Sequence, residues 1–317
     1  MKKSVILFSL ALAACTVSAK NLKVLMIGNS FSVCVLKQMP QVAADAGDTL
    51  DLASLMIGGC QLKRHWENVE KSGDATFKPY GFSWNYASEK DPKKGPLAKY
   101  GHKINLPEAL KADKWDVVTI QQASGDSSFY ETYQPYADQL IAKIHELAPT
   151  AEIVIQETWS YTPYDGRLAK WKLDPASMHA KLKQAYAMLA AKHGLRTIPT
   201  GDAIQLFREQ LPVKYEKVYT RKEIAAMKEP EMPQFYGDLA GAARWGKGGS
   251  WQKDAAVYKL RVDGAHLNPS GEYMQALVWQ AKLFGTDVTK IKYRPGFVTE
   301  ETAAVMKRCA MAAVNAK

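Results

Sequence analysis

Short runs rich in Val, Ile and Leu recur along the chain, with longer stretches of helical periodicity between them. That rhythm restricts the fold more than any other feature. Strands buried on both faces and joined by helices form a parallel sheet covered on both sides. Five strands are expected: Lys23–Gly28, Leu50–Met56, Asp116–Gln122, Glu152–Glu157 and the short Leu195–Ile198. A helix follows the first from about Phe31 to Gly47, Tyr133–Leu147 ends ahead of Pro149, and Pro175–His193 stops at Gly194. Pro269–Phe284 has Asn268 as a natural N-cap, Pro269 at the first helical position and Gly285 just past its end. A last helix covers about Glu300–Ala313. The expected class is α/β, a three-layer α/β/α sandwich on a central parallel sheet of about five strands.

Residues 61–114 and 212–262 break the rhythm and are rich in aromatic residues, Lys, Pro and Gly. Stretches this long inside a compact domain are functional or carry small elements of their own, and their aromatic content argues against disorder. No repeat or linker divides the chain, so residues 20–317 read as one domain with two insertions. A chain of 317 residues that is 47% hydrophobic can bury a large core.

The first residues form a leader. Met1–Lys3 is basic, and Ser4–Ala14 is an apolar run well short of the ~20 residues that span a bilayer. Val17-Ser-Ala19 fits cleavage before Lys20, giving a signal peptide over 1–19; Leu12-Ala-Ala-Cys15 instead fits a lipobox, which would remove 1–14 and lipidate Cys15. Both readings export the protein, as a periplasmic or secreted species or as an outer-membrane lipoprotein whose membrane contact is the lipid on Cys15.

The formal charge of +10 is spread as single Lys residues and pairs such as Lys93-Lys94. With no basic block of five, no nucleic-acid partner is expected. The charge is either a solvated surface or an attraction for an anionic substrate or envelope polymer. Cys15, Cys34, Cys60 and Cys309 form no disulfide scaffold and no zinc motif. Cys34 and Cys60 are either bridged or two buried free thiols.

Ser30 lies where the first strand turns into the first helix, the edge at which open parallel sheets place their ligands. Its N–H sits at a helix start and can hydrogen-bond a developing oxyanion. The turn differs from G-x-S-x-G because Ser32 replaces the second Gly, and neither a dinucleotide nor a P-loop glycine motif is present. Alone, Ser30 could simply cap the helix. The run Arg261-Val-Asp-Gly-Ala-His-Leu267 supplies what a serine nucleophile needs, a base and an acid that orients it. Asp263 can bind the His266 Nδ1 across a loop, leaving Nε2 free to face Ser30. The other histidines are scattered and form no metal pattern, so no metal and no organic cofactor is implied.

Five blocks in order resemble the SGNH, or GDSL-like, hydrolase superfamily, in a branch usually labelled a domain of unknown function. They are Ile27-Gly-Asn-Ser-Phe-Ser32, Gly58-Gly-Cys60 with His65-Trp66, Trp115-Asp116 leading to Gln121-Gln122, Gln156-Glu-Thr-Trp-Ser160 and Asp263-Gly-Ala-His-Leu267, spanning about residues 22–285. The resemblance implies a flavodoxin-like fold and a serine esterase, with Ser30 as nucleophile, His266 as base and then acid, and Asp263 as its orienter. It also implies an oxyanion hole from the Ser30 N–H, a Gly N–H, here Gly59, and an Asn side chain. The Asn position falls on Gly125, so Gln122 is the expected substitute, with Gln121 on the opposite face of its strand. Asn29 stands where the family usually has Asp. Trp159, His65 and Trp66 are candidate substrate contacts, while Asp202 reads as a helix cap.

The expected reaction is removal of a short acyl group, most plausibly acetyl, from a carbohydrate. Two alternatives remain open at this point: a lipid or lysophospholipid esterase, and a weakened carbohydrate-binding protein on the same fold.

Overall fold

The computed structural model describes residues 19–88, 95–234, 237–249 and 252–316. The expected leader with Cys15, together with Lys93, Lys94, Tyr236 and Trp251, lies outside the described residues.

All five expected strands form and lie in one sheet. They are β1 (Asn21–Gly28), β2 (Thr49–Met56), β5 (Val117–Ile120), β6 (Glu152–Gln156) and β7 (Arg196–Ile198). β3 (Tyr80–Tyr86) and β4 (Lys103–Ile104) add to it, in the order β4-β3-β2-β1-β5-β6-β7. The expected five are mutually parallel, whereas β3 and β4 pair antiparallel at one edge. The sheet is therefore seven-stranded, two strands coming from the 61–114 insertion. The parallel strands are apolar without alternation, as burial on both faces requires: Val24–Ile27 and all of β5 are buried.

Helices cover both faces. Met39–Asp45, Thr200–Gln210, Pro269–Trp279 and Glu300–Asn315 pack together on one side; Leu62–Glu70, Leu106–Leu110 and Tyr136–Leu147 pack on the other. The helix expected over 31–47 is broken into Ser30–Val33, a 3-10 turn at Cys34–Lys37 and Met39–Asp45. Pro40 accounts for the restart, since it has no N–H to continue the earlier helix yet fits a first turn. Pro269–Trp279 continues as a π-helical turn to Phe284 and ends at Gly285 in the left-handed conformation.

The 212–262 insertion contributes a separate two-stranded antiparallel sheet of β8 (Ala240–Gly246) and β9 (Lys259–Leu267). Asp263 and His266 thus lie on a strand, not on the loop expected for them. In the central sheet, β1 leads to β2 on one side and pairs β5 on the other, so the chain reverses its direction of travel between β1 and β5. Ser30 follows β1 at that reversal, where the carboxyl ends of the strands leave a crevice.

Candidate active site

The turn that holds Ser30 is built from close approaches. A Cβ on Gly28 would stand 2.7 Å from the Ser32 Oγ and 3.1 Å from the Gln121 side chain, so only glycine fits. Asn29 is extended and caps the short helix, its Oδ1 accepting from the Phe31 N–H at 3.0 Å and from Gln121 Nε2 at 2.9 Å. Its Nδ2 donates to the Cys60 carbonyl at 3.2 Å. One buried amide thereby ties the nucleophile turn to the segment after β2 and to the end of β5. An aspartate could not make the bond to Cys60. Ser30 itself is half-buried and stays reachable.

His266 is placed by an irregularity in the β8–β9 ribbon. Between the pairs Ala242↔Asp263 and Ala240↔Leu267, three residues of β9 face only Gly241. Gly241 has φ +85°, and a Cβ there would meet the Tyr164 hydroxyl at 2.2 Å. The bulge curls Asp263 back onto its own strand, where its Oδ1 accepts from the N–H groups of Ala265 at 3.0 Å and His266 at 3.1 Å. The Asp263 Oδ2 accepts from His266 Nδ1 at 2.8 Å, and the Ser30 hydroxyl donates to His266 Nε2 at 2.8 Å. Burial alone would raise the Asp263 carboxyl. The hydrogen bond and charge of His266, with the two backbone N–H groups, outweigh it and hold the group well below the usual carboxylate range.

Trp159 sets how the two halves meet. It is fully buried, stacks on Phe31 with centroids 4.2 Å apart and planes 6° apart, and donates from Nε1 to the Ala265 carbonyl at 2.7 Å. The Phe31 ring meets the His266 ring edge-on at 5.2 Å. Trp159 therefore packs behind the residue after the nucleophile and the residue before the base. The expected substrate contact is corrected to a positioning role.

Three other expectations are corrected. Gln122 is buried and absent from the cleft wall; its Nε2 donates to the Thr132 carbonyl at 3.0 Å and hydroxyl at 3.1 Å, and its Oε1 accepts from Leu62 and Ala123. Its amide protons are spent on the protein, so none is free for an oxyanion. Gln121, not Gln122, faces the nucleophile turn. His65 is fully buried and hydrogen-bonded to the Tyr80 hydroxyl at 2.9 Å, and burial, with help from Arg64, pushes its pKa down to about 3. It is a neutral core residue. Trp66 is half-buried on the outer helix and donates to Glu70, away from the cleft.

Gly59, with φ +60°, does line the cleft, as do Ser30, Ser124 and Gly125. Ala123–Asp126 forms a tight turn in which the Asp126 N–H donates to Ala123, and the Ser124 and Tyr161 hydroxyls meet at 2.7 Å. Neither the Ser124 nor the Gly125 N–H meets an acceptor among the described residues. Cys34 and Cys60 are free buried thiols, each pushed up to about 12 chiefly by burial, so the bridge considered for them is not made. Asp202 does not cap its helix; its carboxylate pairs with His179 at 3.1 Å and Lys183 at 2.8 Å.

Together these residues open onto a cleft of about 1300 Å³ between the sheet edge and the β8–β9 ribbon. Ser30, His266, Asp263 and Gly59 all line it.

The family model described as domain of unknown function (DUF4886) matches residues 23–221. A DUF4886 family protein from Bacteroides uniformis superposes with a TM-score of 0.68 at 23% identity, over 93% of this chain and 95% of that one. This likeness shows the fold. A candidate SGNH hydrolase from Slackia heliotrinireducens gives a TM-score of 0.46 at 18% identity, over 84% and 98% of the two chains. An acetyl-xylooligosaccharide esterase from Geobacillus gives 0.42 at 12% identity, over 88% and 100%. No curated protein matches the chain.

Proposed function

The chain belongs to the DUF4886 family, and from that premise we propose that it is a serine ester hydrolase that removes a short acyl group from a carbohydrate. The observation that carries the reading is the unbroken relay from the Ser30 hydroxyl to His266 to Asp263, each link 2.8 Å long. With Nδ1–H directed at an ionised Asp263, the His266 Nε2 is the basic nitrogen and takes the Ser30 proton as Oγ attacks the ester carbonyl. The tetrahedral oxyanion is held by the N–H groups of Ser30 and Gly59. The third donor, which the family draws from an Asn side chain, falls to the free Ser124 or Gly125 backbone N–H. His266 then passes the proton to the leaving alcohol, and water repeats the sequence on the acyl-Ser30 ester.

A short acyl group is favoured because charged side chains line much of the cleft, including Arg244, Arg261 and Asp254, and a long alkyl chain would desolvate them. A sugar is favoured by Trp245, which lines the cleft and stacks on Tyr258 with centroids 6.4 Å apart. Export through the leader, with or without a lipid on Cys15, is part of the same proposal, and mass analysis of the mature N-terminus tests it.

The reading is tested by covalent labelling with an organophosphonate. The wild type is expected to label and to hydrolyse 4-nitrophenyl acetate, and Ser30→Ala to do neither. A wild type that resists labelling overturns it and promotes a binding role on the same fold.

A further inference from the structure

The β8–β9 ribbon has an unfavourable feature next to the relay. Ala242 pairs with Asp263, and the next pair on that face is Arg244 opposite Arg261. Like charges directly opposed across two strands are destabilising. Only one of the two is neutralised. Arg261 donates to the Asp254 carboxylate at 2.6 Å and to the Asp254 carbonyl at 2.7 Å, whereas among the described residues Arg244 reaches only the Lys247 carbonyl at 3.1 Å. Two residues along a strand is about 7 Å, and from there the Arg244 guanidinium turns further along the ribbon, toward Gly246 and the Lys247 carbonyl.

A second arginine lines the same cleft. Arg221 presses on Gly166 so closely that a Cβ there would lie 2.9 Å from the Arg221 backbone nitrogen, and its exposed side chain lines the cleft with no partner among the described residues. Arg167 beside it is different. It is clamped by Asp165 at 2.8 and 2.6 Å and lies over the Tyr161 ring. Lys259 shares Asp254, and Asp126 is held by the Gln61 amide. Among the described lining residues, Arg221, Arg244 and Lys253 therefore remain without a carboxylate.

We infer that Arg244 and Arg221 are anion-binding residues of this cleft and that the substrate is an acylated acidic glycan bearing carboxylate or sulfate groups. Arg suits either group, because its planar fork makes paired charge-assisted hydrogen bonds to both. Occupation by an anion relieves the repulsion between Arg244 and Arg261.

The kinetic part of this inference rests on the ester-hydrolase reading. Hydrolysis is compared for O-acetylated oligogalacturonides, O-acetylated sulfated galacto-oligosaccharides and neutral O-acetylated xylo-oligosaccharides. An anionic-to-neutral ratio of kcat/KM of at least about tenfold at low salt is expected, shrinking in about 0.3 M NaCl. The anionic series that leads identifies the group as carboxylate or sulfate. Arg244→Gln and Arg221→Gln, on separate elements, should each reduce the ratio about five- to tenfold. A ratio near one in the wild type, or one unaltered in both variants, overturns the subsite. In parallel, the Ser30→Ala protein is titrated calorimetrically with oligogalacturonide, sulfated galacto-oligosaccharide and xylo-oligosaccharide. If the wild type resists phosphonate labelling, the esterase reading fails, and this binding preference alone judges the subsite.

Discussion

Replacing Asn29 by Asp exchanges one NH2 for an oxygen and tests how the nucleophile turn is held. Two of the three hydrogen bonds survive, because the carboxylate still accepts from Phe31 and Gln121. The third is lost: the Cys60 carbonyl exchanges a donor for a second acceptor in a site where Asn29 is 1% exposed. A buried polar group left unsatisfied costs about 1–3 kcal/mol. At roughly 2–4 °C per kcal/mol for a domain of comparable size, the melting temperature should fall by about 2–12 °C at pH 7. Because Cys60 adjoins Gly59, the slack also displaces an oxyanion donor. Deleting such a donor outright costs about 100- to 1,000-fold, so a displaced one should lower kcat roughly tenfold with KM little changed. The pH dependence has a definite sign. A protonated carboxyl can donate to Cys60, so the folded state favours the proton and the pKa of the new Asp is raised. The stability deficit is then greatest above that pKa and shrinks as pH falls. Thermal melts at pH 5 and 7 with steady-state hydrolysis of 4-nitrophenyl acetate measure all three effects. A variant that matches the wild type in melting temperature and kcat at pH 7 would refute the tether, and would support the view that Asp and Asn are equivalent here.

Trp159→Phe keeps a ring on Phe31 but loses the bond to Ala265, so kcat should fall about fivefold for a stability loss near 1 kcal/mol, and the pH profile of kcat/KM should shift with the loosened base; an unaltered profile would reduce Trp159 to packing. Gln122→Ala should destabilise by about 2–4 kcal/mol in urea unfolding, from lost hydrogen bonds to Leu62, Ala123 and Thr132; a rate loss of 100-fold without destabilisation would restore it as an oxyanion donor. Glu157 is pushed up to about 8 by burial and then by the nearby Asp202 carboxylate. Its folded pKa lies above the unfolded value, so the stability it supports is complete below about 4.5 and is lost as pH rises to 8. Glu157→Gln should flatten that decline in denaturation curves taken at pH 5 and 8.

The parallel strands were legible because burial on both faces leaves uninterrupted apolar runs, and the relay was legible because Asp263 and His266 are close in sequence. β3 left a weaker trace. Tyr80, Phe82, Trp84 and Tyr86 alternate with Gly81, Ser83 and Asn85 at strand period, but inside a stretch whose Lys, Pro and Gly content suggested an irregular insertion. β4 is two residues long and exists through its pairing with β3, so no local signal could mark it. The site errors share one cause. Strand period separates Gln121 from Gln122 without saying which faces the nucleophile, and an aromatic residue after a strand reads alike whether it meets solvent or core. Trp159, His65 and Trp66 were assigned by nearness in sequence, and the packing around them decides otherwise. The sequence marks Asn29 only as a departure from the usual Asp; its worth lies in the donor gained, toward a carbonyl 31 residues away.

The β8–β9 ribbon has an evolutionary consequence. Ser30 follows the first strand of the central sheet, but His266, Asp263 and one wall of the cleft are carried together on a ribbon outside it. Selectivity and proton transfer are therefore written on the same short piece of chain. Relatives can acquire new substrates by exchanging residues at its far end, near Trp245 and Lys259. Insertions near the bulge at Gly241 carry a different hazard, since they would move the general base along with the wall. Substrate range in this lineage should diversify by substitution along the ribbon and not by changes in its length.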